Sequence, residues 1–350
     1  MTCTRAPVTV SHYYPLVTNS VLTTRLCSDI VLHVHPPSPF GFAGGSTGVN
    51  PPALGVGMST DDELAADISG PTVPRMILGN QLHRFREAAS ISPDRAGYEI
   101  RASRSKISRM ENGRVGFKER DVADLLDLYG VTDEETRAGL MMLARQANAP
   151  GWWSKYGGDI MTDWFEEYLG LEAAASVIRA FELQFVHGLL QTEAYARAVT
   201  LLGNTSAPAE EIDRRVGLRL KRQDLLASSR PPQVWVVIDE GALRRPVGGR
   251  AVMRAQLNRL IEVAGLRHVT IQVVPFSRGG HAAAGGSFTV LRFGEDDVPD
   301  VVYIEQLTSA LYLDKREDVD HYLEVMNHLS TEALTPVQTA QFLAGIIKET

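Results

Sequence analysis

Cysteine is almost missing from this sequence: its 350 residues include two, Cys3 and Cys27, both close to the N-terminus. The remainder can hold neither a disulfide staple nor a thiolate-ligated zinc, so a packed core has to stabilise it. No run of about eighteen apolar residues occurs, which excludes a membrane-spanning helix. The start lacks a basic segment followed by a clean apolar one, so no secretory signal is expected and the expected location is the cytoplasm. Also missing are a nucleophile elbow, a dinucleotide fingerprint, a phosphate-binding loop and any metal-ligand spacing. An enzyme would have to be built from Asp239, Glu240, His281 and Glu305, which fall at strand ends or on one loop. Solvated surface acids are their simpler reading, and neither catalysis, a cofactor nor a metal is expected.

What is present describes an ordinary globular chain, 44% hydrophobic and 22% charged, long enough for two or three domains. Its net charge of −7 is unevenly spread. Residues 75–120 carry eleven Lys/Arg against five Asp/Glu, a local +6 that leaves −13 for the rest. A basic island in an acidic chain is a candidate footprint for a polyanion; the bland alternative is a chance cluster on a solvated face.

Residues 1–57 are poor in charge, contain Pro36-Pro37, Pro39, Gly44-Gly45 and Pro51-Pro52, and show no sustained period. They are expected to be disordered apart from a short strand around 30–34, and His33 with His35 lacks a third ligand. The leader is taken to residue 74, with Met58 an alternative natural start. From Met76 the pattern turns helical. Leu78, Leu82 and Phe85 mark a first helix to about Ala89, and Ser92-Pro93 opens a second through Ile100. Ser103 caps a third, 104–111, closed by Asn112-Gly113. Val122, Leu125, Leu126 and Tyr129 give a fourth, and Thr132 caps a fifth. Residues 76–147 thus read as an all-α five-helix domain, ended by Asn148-Ala149-Pro150-Gly151. Residues 152–350 read as a mixed α+β domain, with helices around 161–175, 192–202, 209–227, 250–265, 315–329 and 336–348. Strands are expected around 234–238, 269–274, 287–293 and 301–304.

The third helix holds the most chemistry. Ile107 and Met110 fall inward, leaving Arg104, Ser105, Ser108 and Arg109 on the outer face with Lys106 on its flank. A short helix with cations and hydroxyls outside fits a DNA major groove, where an arginine can hold guanine O6 and N7 at once.

On Leu82-His83-Arg84-Phe85-Arg86-Glu87-Ala88 and Ser103-Arg104-Ser105-Lys106-Ile107-Ser108-Arg109-Met110-Glu111-Asn112-Gly113, the region 78–131 resembles the lambda-repressor-like helix-turn-helix domain of XRE transcription regulators. The resemblance implies base contacts by Arg104, Ser105, Lys106 and Arg109, and phosphate contacts by Ser108, Asn112, Arg114 and Lys118. It further implies binding to double-stranded DNA as a homodimer, and a structural ion pair between Arg86 and Glu111. Two residues depart from the family pattern. Pro93 replaces a glutamine that usually binds phosphate, and Arg101 replaces a frequent glycine of the turn, at about 1 kcal/mol if its φ is positive.

The second half resembles the C-terminal domain of actinobacterial WhiJ-type regulators. Trp152-Trp153, the Glu182 region and Gly188-Leu189-Leu190-Gln191-Thr192-Glu193-Ala194-Tyr195-Ala196-Arg197-Ala198 carry that likeness, with Arg219-Leu220-Lys221-Arg222-Gln223 and Glu240-Gly241-Ala242-Leu243-Arg244. Such proteins are sometimes classed as antitoxin-like because small partner proteins are encoded alongside, which makes a protein-interaction module the alternative to a DNA-binding regulator. From the residues themselves, the glycine-rich loop 277–287, with Arg278, His281 and Ser287, is the candidate ligand or partner site; a mobile strand connection is its plainer reading.

Overall fold

The computed structural model describes residues 70–294 and 298–350. The expected leader up to residue 69, the 30–34 strand and the His33–His35 pair lie outside the described residues. Helix α1 (Thr72–Ala88) begins before the predicted start at Met76, so residues 72–74, assigned from sequence to the leader, are helical. Pro74 reads as a breaker, but in the first turn it removes an N–H that has no intrahelical partner anyway. Helices α2 (Pro93–Glu99) and α3 (Arg104–Glu111) begin where expected, with the hydroxyls of Ser92 and Ser103 accepting from Arg95 N and Lys106 N. Helix α4 (Glu119–Leu128) follows, then α5 (Glu134–Asn148). The cap of α5 is Asp133 and not Thr132: its carboxylate accepts from both the amide and the hydroxyl of Thr136. A full negative charge at the positive end of a helix outcompetes a hydroxyl one residue earlier.

Helices α1 to α4 all close in the same way. The residue after each C-cap is left-handed, with φ 55° at Ser90, 53° at Arg101, 66° at Gly113 and 75° at Gly130. The next amide returns to the carbonyl five residues back, as in Ala102 N to Gly97 O at 2.7 Å. Arg101 adopts this backbone with a side chain attached. Arg101→Gly is therefore expected to stabilise the protein by about 1 kcal/mol, the relief exceeding the added chain entropy. The urea midpoint tests this, and an unchanged midpoint would mean that the turn stores no strain. Leu78 and Leu82 of α1, Ile107 and Met110 of α3, and Leu125 and Leu126 of α4 build the core these helices share.

The second region is a six-stranded sheet in the order β3-β2-β1-β4-β5-β6. Strands β1 (Val177–Glu182), β2 (Gln233–Asp239) and β3 (Val269–Val274) run parallel. Strands β4 (Phe288–Arg292), β5 (Val301–Glu305) and β6 (Ala310–Leu313) continue the sheet antiparallel. Helices α6 (Asp163–Ala174), α10 (Arg250–Val263) and α12 (Pro336–Glu349) pack into the core on one face. Helix α11 (Arg316–Glu332) covers the other. Between β1 and β2 the chain passes through α7 (Glu193–Gly203) and α8 (Ala209–Arg222), and the short α9 (Glu240–Arg244) follows β2.

Sequence periodicity missed β1 and β6. The central strand β1 is interrupted by Arg179, whose guanidinium lies 4.8 Å from the Trp235 ring centroid and escapes burial among aliphatic side chains. Strand β6 is four residues at the sheet edge, too short to display a period.

Helix α1 belongs to both cores. Val73 is buried in the core of the mixed region, with Met76 and Ile77 packed against it, whereas Leu78 and Leu82 serve the helical one. The contact with α6 is close: Thr72 lies over Gly170, where any Cβ would collide with its side chain.

Candidate nucleic-acid interface and a charged cleft

Helix α3 is eight residues long, roughly 12 Å, about the width of the DNA major groove. Ile107 and Met110 are each 1% exposed and anchor it, so its opposite face is left to solvent. Arg104, Ser105 and Arg109 lie on that exposed face. Arg104 makes only a loose contact, Nη1 to Asp94 Oδ2 at 3.7 Å, with both side chains about 70% exposed. Lys106 departs from the expected base-reading set. Its Nζ donates to Asp121 Oδ2 at 2.6 Å, which draws it against the first turn of α4.

The phosphate set is also divided. Ser108 and Lys118 are exposed, and Asn112 folds back so that Nδ2 donates to Ser108 O at 2.7 Å. Arg114 is exposed but faces α6, close enough to Glu167 to counter the upward push that burial gives that carboxyl.

Behind the exposed face, Arg86 and Glu111 form a two-pronged pair. Nε donates to Oε1 at 2.6 Å and Nη2 to Oε2 at 2.9 Å, with the side chains 5% and 9% exposed. Burial alone would raise the Glu111 carboxyl, but hydrogen bonds from Arg86 and His83 hold it below the ordinary carboxylate range. The pair ties α3 to α1, and sequence reading missed why they approach so closely. Gly79 sits at the crossing, and a Cβ there would stand 2.6 Å from the carbonyl oxygens of both Met110 and Glu111.

The loop residues Arg278, His281 and Ser287 do not form one site. Arg278 is exposed, whereas His281 packs edge-on against Phe181 at 5.0 Å between ring centroids. Ser287 Oγ accepts from Leu183 N at 3.0 Å and fastens β4 to the end of β1. Of the acids considered with them, Asp239 caps α9 through Gly241 N at 2.7 Å, and Glu240 accepts from Phe276 N at 2.7 Å. Alternation along the strands then places Asp239 and His281 on the α11 face and Glu305 on the opposite one. The four residues of the enzyme reading are thereby split between the two faces of the sheet.

On the Glu305 side lies a cleft of about 910 Å³, between the sheet, α6 and α8. Glu182 ends β1 at its edge and makes no hydrogen bond or ion pair with any described residue. Burial, and then the neighbouring Glu305, push its carboxyl up to about 8. Arg219 donates from Nη1 to Gln191 Oε1 at 3.1 Å, and burial followed by repulsion from Arg222 lowers it to about 10. Burial holds His187 neutral, down at about 4. One wall is fixed by Glu172, which receives both Nε (2.8 Å) and Nη2 (2.7 Å) of Arg222 and the hydroxyl of Tyr168 (2.8 Å). The hydroxyl of Tyr303 is buried beside Glu305 without a hydrogen bond of normal geometry.

Because native Glu182 keeps its proton up to about 8 while the unfolded chain loses it in the ordinary carboxylate range, stability should fall as pH rises between the two. Glu182→Gln is expected to melt higher than the parent at about pH 8.5 and to match it near about pH 4. An equal offset at both pH values would remove the carboxyl as the cause. Glu305 and Ser287, singled out from the sequence for other reasons, both line this cleft, as do the Glu182 region and Arg219 with Arg222 on one side of a helix; what the sequence does not show is that they meet.

Among the described residues no helix is long and apolar enough to cross a membrane, and no group of three His, Cys, Asp or Glu side chains is placed to hold a metal. Residues 77–139 match the family model described as a helix-turn-helix domain. Residues 165–345 match the model described as a domain of unknown function, DUF5753. No curated protein and no solved structure matches the chain.

Proposed function

The chain belongs to the DUF5753 family, and we propose that it is a sequence-specific transcription regulator whose α3 reads DNA in the major groove. The observation that carries this reading is the division of α3: Ile107 and Met110 are buried, and Arg104, Ser105 and Arg109 share its solvent face. In this reading the helical region is of the lambda-repressor-like XRE type found with WhiJ-type C-terminal domains, and a cytoplasmic homodimer places two copies of α3 on two half-sites. Arg104, Ser105 and Arg109 meet base edges, while Ser108, Asn112 and Lys118 meet phosphates. Lys106 enters the groove only by releasing Asp121, and Arg114 meets phosphate from a position near Glu167. The mixed region senses a small ligand or a small protein partner, and catalysis is no part of the proposal.

A selection on random duplex DNA with the full chain, followed by anisotropy across a salt series, tests the reading. The expected winner is pseudo-palindromic and bound tighter than random DNA by a factor of about a thousand or more. Arg109→Ala is expected to lose about 1–3 kcal/mol of preference at one base position of each half-site. Lys118→Ala should weaken all sequences together and flatten the salt slope. If Arg109→Ala weakened every duplex equally, base reading by α3 would be refuted.

A further inference from the structure

The cleft between β1, β5 and α8 holds ionisable groups of both signs that sense one another without touching. Glu182 and Glu305 lie on one side of it. Neither forms an ion pair with a described residue, and Glu182 has no hydrogen bond either. Arg219 faces the same space, within electrostatic reach of both acids, and uses one of its five N–H donors on Gln191. Glu182 and Arg219 are half-buried and Glu305 is exposed at the mouth, so all three remain open to a ligand that completes their hydrogen bonds. The neighbouring Arg222 shows the alternative. Its charge is met by Glu172 through Nε and Nη2, and it lies between 5 and 6 Å from the Phe165 and Tyr168 ring centroids, so it shapes the wall. Those rings continue into Tyr303, whose centroid is 4.2 Å from that of Tyr168; both tyrosines are buried, and the half-buried Trp164 and Phe165 present the stack to the cleft.

A cation alone would satisfy the acids but meet Arg219; an anion alone would satisfy Arg219 but meet the acids. We propose that this cleft binds a small aromatic zwitterion, its ammonium taking the place of the Glu182 proton, which is released to solvent, and lying between Glu182 and Glu305, its acid group on Arg219 and its ring along Trp164 and Phe165. The volume of about 910 Å³ suits a ligand larger than a single amino acid as well as one of that size. The site is also held in advance of binding. Gln191 Nε2 donates to Val186 O at 2.6 Å, and Gln223 Nε2 to Gln191 O at 2.7 Å, so the partner of Arg219 is itself fixed on two sides. The inference deepens the sensing part of the proposed function and rests on it only for its biological purpose.

Calorimetric titration of the full chain, without DNA, tests the charge pattern. The probes are L-phenylalanine and the dipeptide phenylalanyl-phenylalanine, which carry both charges at two separations. Phenethylamine and hydrocinnamate carry one charge each. At least one zwitterion is expected to bind with Kd at or below about 1 mM and about tenfold or more tighter than either single-charge analogue. Glu182→Gln and Arg219→Gln should each weaken it about tenfold or more, while Arg109→Ala should leave it unchanged. A melting curve of each variant establishes that it is folded. Absence of binding by all four probes, or equal binding by charged analogue and zwitterion, overturns the proposal. Binding that leaves DNA affinity untouched would preserve the site and defeat the sensing reading instead.

Discussion

Replacing Glu111 by alanine is expected to destabilise the protein by about 3–5 kcal/mol and to take DNA binding with it. The carboxylate receives Nε and Nη2 of an Arg86 side chain that is 5% exposed, so its removal strands most of a guanidinium away from water. Glu87 and the carbonyl of Ile91 remain for Nη1, and for Nη2 only His83 Nδ1 at 3.0 Å. The loss falls on function because the pair joins the end of α3 to α1, and α3 without that tie can shift on its hydrophobic anchors. Breaking the pair and replacing it are different experiments. The double variant Arg86→Met, Glu111→Leu should recover most of the stability, since a well-packed apolar pair carries no desolvation penalty. Urea unfolding of the two single variants and the double variant decides the matter. Single variants within about 1 kcal/mol of the parent would show the pair to be solvated. Acid acts in the same direction: native Glu111 lies below the ordinary carboxylate range, so its contribution is present above that range and is lost as pH falls through the native value.

Glu172→Ala should cost about as much, again about 3–5 kcal/mol, for a related reason in the other core. Arg222 and Glu172 are 7% and 3% exposed at their side chains, so the carboxylate is more deeply placed than that of the α1–α3 pair. Burial pushes the Glu172 carboxyl upward, yet Arg222 first and the other partners after it hold it below its ordinary value. Glu172→Gln is the informative companion. It keeps an acceptor for Tyr168 and Arg222 but removes the charge, and should lose roughly half as much. Thermal melts of the two variants in one buffer make the comparison. Equal losses would mean that shape and hydrogen bonding, with no contribution from charge, hold Arg222 in place. Since the pair stiffens a wall of the cleft, both variants should also blunt the binding of any zwitterion that fits there.

The helical region was far more legible than the mixed one, and the difference is one of range. Ser92, Ser103, Ile107 and Met110 declare themselves within a turn or two of helix, because caps and buried stripes act over three or four residues. The sequence does not show that Lys106 meets Asp121 or that Arg114 lies near Glu167, because the packing of other helices brings those acids up. The cleft is the extreme case. Glu182, Arg219 and Glu305 meet only because β1 pairs with β2 on one side and β4 on the other, a register that no local pattern specifies. The site at the end of β1 is therefore hidden with the strand, and of the glycine-rich loop Ser287 lines the cleft while His281 turns toward the opposite face.

Helix α1 has a consequence for how the chain melts. Its first turns supply Val73, Met76 and Ile77 to one core and its later turns supply Leu78 and Leu82 to the other. Unfolding either core removes half the burial that keeps this helix formed, and a helix so shortened gives poor support to what remains. The described residues are accordingly expected to unfold together, and calorimetry should give a single heat-absorption peak where a chain of separable modules would give two. A chain cut near Pro150 would leave the reading head with Val73, Met76 and Ile77 bared to water, and self-association would follow from that patch.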